Sequence, residues 1–278
     1  MSPIISSSEL KNLSAENLII LDARVGKDIH QTYLEKHIKG ARFIDLDKDL
    51  AEIGEDAAFG GRHPLPDITK FAETLSNLGI SEDAHVVIYD DKNGANAAAR
   101  AWWMLKSFGF KNVQVLDGGF QAAEKNGLEF SSGEESFEKS SVVKRESWHL
   151  PVKALEGIEN ELLSHSSTVV DVRDAYRYNG ESEPIDLVAG HIPGAINIPF
   201  SENLDENGNF LKPEVLKQKY TELLKDKPQH LIIHCGSGVT ACHTILALNY
   251  AGFPIPDLYV GSWSEWSRRE GKEIAREV

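Results

Sequence analysis

The residues best equipped for chemistry lie in 231–248, which reads Leu-Ile-Ile-His-Cys-Gly-Ser-Gly-Val-Thr-Ala-Cys-His-Thr-Ile-Leu-Ala-Leu. The unbroken apolar run predicts a buried strand ending at Cys235, followed by a glycine-rich turn and a helical pattern that starts near Val239. Gly236 and Gly238 allow the backbone to curl into a concave nest of N–H groups, which Ser237, Val239 and Thr240 extend to the helix start. A nest and a helix N-terminus both favour a thiolate over a thiol, so Cys235 is a candidate nucleophile whose anionic adduct the same loop would hold. A strand–turn–helix connection with a small buried residue at the strand end is equally compatible with this spacing.

Other chemistries fit the segment less well. Gly236-Ser-Gly238-Val-Thr-Ala241 matches a dinucleotide fingerprint, but that motif wants an acidic residue about 20 positions on, where Val260 and Gly261 stand. A cysteine phosphatase would carry an arginine at position 241, where this chain has Ala241. His234, Cys235, Cys242 and His243 resemble a metal quartet, yet strand neighbours point to opposite faces and cannot all converge, so no metal is expected. Cys242 falls in the first helical turn and reads as a packing residue, with a redox partnership to Cys235 as the alternative.

The elements that must position Cys235 occur twice. Leu-Asp-Ala-Arg (21–24) answers Val-Asp-Val-Arg (170–173), and His-Ile-Lys-Gly-Ala (37–41) answers His-Ile-Pro-Gly-Ala (191–195). Val-Val-Ile-Tyr-Asp (86–90) answers Leu-Ile-Ile-His-Cys (231–235), and Leu-Asp-Gly-Gly-Phe (116–120) answers Tyr-Val-Gly-Ser-Trp (259–263). Matches in one order at nearly constant offset indicate a duplicated domain, because the period is far longer than that of a solenoid. Short apolar runs alternate with helical segments such as 97–108 and 240–251. The expected fold is therefore α/β, two tandem domains each with a mostly parallel sheet covered by helices on both faces. Between them, 131–147 holds six Ser and four Glu and reads as a linker, giving domains at 1–130 and 148–278. Trp102, Trp103, Trp263 and Trp266 read as core.

Composition narrows the classes. The chain has 278 residues and a formal net charge of −14, which opposes a sequence-independent nucleic-acid binder and docking on an anionic membrane. A local cluster of cations would still admit a small anion. No stretch is long and apolar enough to span a bilayer, the first residues lack a secretory pattern, and two cysteines cannot make a disulfide framework. The expectation is a soluble cytoplasmic protein.

The loop Cys235-Gly-Ser-Gly-Val-Thr-Ala, the paired His-Ile-x-Gly-Ala motifs and the Asp-Gly-Gly and Val-Gly-Ser-Trp repeats resemble the tandem-domain rhodanese-type sulfurtransferases, over nearly the whole chain. Within that family the Cys-Gly-Ser-Gly-Val-Thr form resembles the 3-mercaptopyruvate enzymes. Thiosulfate sulfurtransferases usually carry Arg and Lys after the cysteine, and cations there suit a compact dianion. The resemblance implies a Cys235 persulfide formed from mercaptopyruvate with release of pyruvate, and discharged to a thiol or a thioredoxin-like acceptor without a cofactor. It implies a relay of Asp28, His37 and Ser237 assembled across the interdomain cleft, and Arg177 as the grip on the substrate carboxylate. Asp90 aligns with Cys235, so the first domain is expected to be catalytically silent. One departure matters: Asp186 stands where a second arginine is often found, which would leave carboxylate binding to Arg177 alone. A thiosulfate sulfurtransferase and a sulfur carrier without turnover are the alternatives.

Overall fold

A computed structural model describes residues 1–14, 16–141 and 144–277. The chain divides into two compact units, 1–52 with 66–149 and 207–209, and 53–65 with 150–206 and 210–278. Residues 53–65 thus belong to the unit that holds Cys235, although they come from the first half of the sequence.

The first unit is built on strands β1 (Ile4–Ile5), β2 (Leu18–Asp22), β3 (Ala41–Phe43), β4 (His85–Tyr89) and β5 (Val113–Leu116), in the order β1-β5-β4-β2-β3. The second holds β6 (Val152–Lys153), β7 (Ser167–Asp171), β8 (Ile196–Asn197), β9 (His230–His234) and β10 (Asp257–Tyr259), in the order β6-β10-β9-β7-β8. The two orders are the same once five is added to each number, and every pairing in both sheets is parallel. The expected α/β architecture is present in both halves. Parallel strands need crossover connections, and helices such as Ala97–Phe108 and Ala241–Tyr250 supply them.

Burial explains why the strands read as apolar runs without alternation. All five residues of β7 are buried, as are the last four of β4. Helix Ala97–Phe108 is buried at every position but Lys106, with Trp102 and Trp103 fully inside, and Trp263 and Trp266 join the second core beside Ile232 and Tyr259.

The repeated Asp-x-Arg motif ends β2 and β7 with a buried ion pair each. Arg24 grips Asp22 at 2.7 Å in the first unit, and Arg173 grips Asp171 at 2.5 Å in the second. Burial is the strongest single influence on Asp171 and would raise its pKa, but the neighbouring charges of Arg173 and His234 and the hydrogen bonds from Arg173 together outweigh it and hold the carboxyl below its ordinary value.

The serine-rich segment 131–147 packs along the first unit, apart from residues 142 and 143, which lie outside the described residues. Ser131 pairs with His37 in a short antiparallel ladder, Glu135 accepts from the Gly40 N–H, and Ser140 bonds the carbonyls of Ser76's helix end and Ile80 through its N–H and Oγ.

Candidate active site

Cys235 sits one residue past β9, buried at the mouth of the turn that leads to helix Ala241–Tyr250. Residues 260–264 hold this turn in place. The Cys235 N–H donates to Ser262 Oγ at 3.2 Å, its carbonyl accepts from the Trp263 N–H at 3.0 Å, and the Gly236 carbonyl accepts from the Ser264 N–H at 2.8 Å. Gly238 adopts φ +72°, and a Cβ there would come within 2.5 Å of the Val260 carbonyl oxygen. Only glycine satisfies both the left-handed backbone and the close approach. Cys242 packs against the same turn, with Sγ 3.4 Å from the Gly238 carbonyl. His234, the strand neighbour of Cys235, is completely buried near Asp171 at 3.9 Å, and burial keeps its pKa below the ordinary value.

The first unit displays what such a turn does with an anion. Asp90 occupies the position of Cys235, and its carbonyl accepts from the Phe120 N–H as that of Cys235 does from Trp263. Its carboxylate takes N–H bonds from Lys92, Gly94, Asn96 and Ala98 at 2.8–3.2 Å. Burial nevertheless raises the Asp90 pKa to about 6, with those bonds opposing the rise. A thiol is absent at this position, and the nest is filled by a fixed acid.

The histidines of the repeated His-Ile-x-Gly-Ala motif have matching surroundings. His37 stacks on Tyr33 at 4.1 Å and its Nδ1 contacts the Tyr33 carbonyl, while His191 stacks on Tyr178 at 3.7 Å and contacts that residue's carbonyl. Each tyrosine hydroxyl in turn donates to the alanine carbonyl that closes its motif, Ala41 or Ala195. His37 is fully buried, and Ser131 and Glu135 engage its Nε2 at 3.0 and 3.2 Å. Asp28 is exposed in a left-handed conformation at a helix start and is not among the ring's partners. Both ring nitrogens of His37 are thus engaged by residues of the first unit.

A different histidine meets Ser237. His63 Nδ1 lies 2.8 Å from Ser237 Oγ, within hydrogen-bond reach. His63 belongs to the strap 53–65, which is fastened down by three contacts. The Gly60 N–H donates to Glu265 Oε1 at 2.9 Å, the Arg62 N–H donates to Ser264 Oγ at 3.0 Å, and Gly61 (φ +81°) lies so close to Gly261 that a Cβ would come within 2.4 Å of its carbonyl oxygen. The sequence reading took its histidine from the family resemblance and did not single out His63. The available signal was Gly60-Gly-Arg-His-Pro64, a tight run with no counterpart in the second half.

Arg177 is in the second unit as expected and lies beside the turn. Its Nε and Nη2 donate to Glu183 at 2.7–3.0 Å, and Nη2 also reaches Asp186 at 3.5 Å. Burial pushes the Glu183 pKa up, but the Arg177 guanidinium and backbone N–H donors outweigh it and hold the carboxyl below its ordinary range. Asp186 is fully buried and binds Arg62 at 3.0 Å and Arg268 at 2.9 Å as well. A Cβ on Gly236 would sit 3.1 Å from Arg62 Nη2 and 3.5 Å from Arg177 Nη2. Two guanidiniums thus border the residue that follows Cys235. Val239 is buried behind the turn, and Thr240 begins the helix.

Two segments of the chain, 6–126 and 153–269, match the model of the rhodanese-like domain. A probable 3-mercaptopyruvate sulfurtransferase of Pseudomonas aeruginosa is 43% identical over 95% of this chain and 94% of its own length. The thiosulfate sulfurtransferase of Gallus gallus is 38% identical over 87% of this chain and 82% of its own. The crystal structure of the Escherichia coli 3-mercaptopyruvate sulfotransferase SseA superposes with a TM-score of 0.79 at 30% identity, covering 95% of this chain and all of that one. Both rhodanese-like copies are present, and relatives match nearly end to end. The chain belongs to the tandem-domain rhodanese-type sulfurtransferases.

Proposed function

We propose that this protein is a 3-mercaptopyruvate sulfurtransferase acting through Cys235. The Cys235 thiolate attacks the thiol sulfur of the donor. The new S–S bond forms as the donor C–S bond breaks, and the bonding pair leaves on carbon as the enolate of pyruvate. Ser237, held by His63 at 2.8 Å, delivers a proton to that enolate, and His63 takes the place first expected for His37. The Cys235 persulfide rests in the nest of 236–240 until an acceptor thiol attacks its outer sulfur, forming the acceptor persulfide and restoring the thiolate.

The observation that carries this reading is the His63–Ser237 pair two residues beyond the candidate nucleophile, in a turn whose own side chains are uncharged. A departing enolate needs a proton, whereas sulfite leaving from thiosulfate does not. The name of the Pseudomonas relative supports the same donor. A small thiol or a thioredoxin-like dithiol is the acceptor in this reading. Both cysteines are free, which suits a reducing cytoplasm. Among the described residues no helix is long and apolar enough to cross a membrane.

The test is kcat/KM for 3-mercaptopyruvate and for thiosulfate with one thiol acceptor, on wild type and Cys235→Ala. A preference for mercaptopyruvate of two or more decades, abolished in the variant, is expected. A preference for thiosulfate would overturn the donor assignment, and stoichiometric persulfide without turnover would make the protein a carrier.

A further inference from the structure

We propose that Ser262 is a positioning residue for Cys235, holding the backbone amide of the nucleophile from the end of the neighbouring strand. This deepens the reading of Cys235 as the nucleophile and rests on it. The first observation is a strained backbone. Ser262 has φ +54°, in the left-handed region, and is fully buried. The other non-glycine residues with positive φ among the described residues are Asn17, Asp28, Asn93 and His165. Those residue types tolerate the conformation, whereas serine seldom adopts it. A strained residue persists only where its surroundings over-determine it, and such residues gather at functional sites.

The first unit displays the alternative. Gly119 holds the corresponding position at φ +56°, and a Cβ there would lie 2.3 Å from the Asp90 carbonyl oxygen. The first unit thus has no room for a side chain beneath Asp90, whereas the second admits one beneath Cys235, so the two turns are spaced differently at this point. The side chain it admits has a defined task. Ser262 Oγ donates to the Tyr259 carbonyl at 2.8 Å and accepts from the Cys235 N–H at 3.2 Å. Donation to Tyr259 uses the single hydroxyl proton, which leaves a lone pair for the Cys235 amide. Tyr259 ends β10 and Cys235 follows β9, so the hydroxyl bridges the two strands just past Ile233 and Leu258, where their ladder stops. On the other side of the Cys235 Cα, the Trp263 N–H holds the Cys235 carbonyl at 3.0 Å. Residues 262 and 263 therefore fix the peptide planes before and after that Cα, leaving χ1 as the main freedom of the thiol. A nucleophile fixed in this way reaches its target without a search among backbone orientations. The first unit keeps the carbonyl bond, from the Phe120 N–H to Asp90, but Gly119 has no hydroxyl to form the bridge. The bridge belongs to the unit that carries the thiol.

Two variants separate positioning from packing. Ser262→Gly copies the first unit, and Ser262→Ala keeps the Cβ while removing the hydroxyl. Iodoacetamide alkylation, followed by mass spectrometry of the Cys235 peptide, reads the thiol without a donor or turnover. Ser262→Gly relieves the left-handed strain as it loses the bridge, so its melting temperature should stay near that of wild type. Cys235 should nevertheless alkylate about tenfold more slowly, and kcat for mercaptopyruvate should fall by a similar factor with KM kept. Ser262→Ala retains the strain and leaves the buried Cys235 amide without its acceptor, so it should melt lower and react as slowly as the glycine variant. Wild-type alkylation and kcat in Ser262→Gly would overturn the proposal. A glycine variant that melts below the alanine variant would also overturn it, by making the serine a packing residue. Cys235→Ala tests the underlying reading separately. Transfer that survives in that variant would remove the nucleophile, whereas transfer lost there beside an unimpaired Ser262→Gly would sink the positioning role alone.

Discussion

His63 Nδ1 lies 2.8 Å from Ser237 Oγ although 174 positions separate the two residues in sequence. The contact joins a strap that has no regular secondary structure to the turn that follows the central strand of the second sheet. In the proposed mechanism the strap supplies the histidine that works with Ser237 beside Cys235.

The two histidine classes should respond differently to substitution. His63→Ala is expected to lower kcat for mercaptopyruvate by about 10² or more while the melting temperature stays near that of wild type. His37→Ala should do the reverse, losing stability through the Tyr33 stack and the Tyr33, Ser131 and Glu135 bonds while kcat per folded molecule is kept. Pyruvate release and thermal unfolding measured on both variants check this; a catalytic loss confined to His37→Ala would reverse the assignment.

Gly238→Ala should damage the turn. The new Cβ would demand a left-handed backbone at φ +72° and would stand 2.5 Å from the Val260 carbonyl oxygen, for a cost of about 2–4 kcal/mol. Because the turn carries Cys235, the alkylation rate of that thiol should fall with stability. Urea unfolding and iodoacetamide kinetics together measure both, and a variant as stable and as reactive as wild type would show that the turn tolerates the change.

Asp90 gives the first unit a pH dependence of uncommon sign. Its pKa is raised by burial to about 6 in the folded state, against an ordinary value near 3.8, so between these limits the folded state holds a proton that the unfolded chain has released. Stability contributed by this group is therefore present below pH ~4 and is lost as pH rises toward 6, by about 3 kcal/mol. Asp90→Asn should flatten that slope. Unfolding free energies at pH 4.5 and 6.5 for the two proteins provide the check, and parallel slopes would contradict it.

Asp186→Asn should be costly in two ways. It leaves Arg62, Arg177 and Arg268 without their shared carboxylate, an uncompensated buried cluster worth about 3 kcal/mol of stability. It should also raise KM for the donor, because Arg177, the residue expected to grip the donor carboxylate, loses a partner beside Gly236. Differential scanning calorimetry with steady-state kinetics tests both; a variant with an unchanged melting temperature would mean that water or Glu183 takes over the role.

Much of this molecule is legible in its residue order. Runs such as 86–89 and 231–233 are apolar at every position because their strands are covered on both faces, and the same property makes them visible without a structure. The duplication shows in paired motifs, and each motif has a local reason to recur: an Asp–Arg ion pair at a strand end, a histidine stacked on a tyrosine, and a glycine-led turn whose aromatic N–H bonds the carbonyl of Asp90 or Cys235. Cys235 and its glycines are adjacent in sequence, so the turn that presents the thiol can be read directly.

The partners of that turn could not be read in the same way. The resemblance pointed to His37, whose stack on a tyrosine recurs at His191 in the second unit, whereas His63 lies in a run with no counterpart in the second half. His63 and Arg62 lie in a stretch without helical or strand periodicity, and their positions depend on Gly60, Gly61 and Arg62 meeting Glu265, Gly261 and Ser264, about 200 residues away. Asp186 looked like a missing cation until its three guanidinium partners were brought together by folding. Contacts between neighbours in sequence obey local rules of spacing, whereas a contact across the chain is chosen by the packing of the whole unit, which no short stretch of residues encodes.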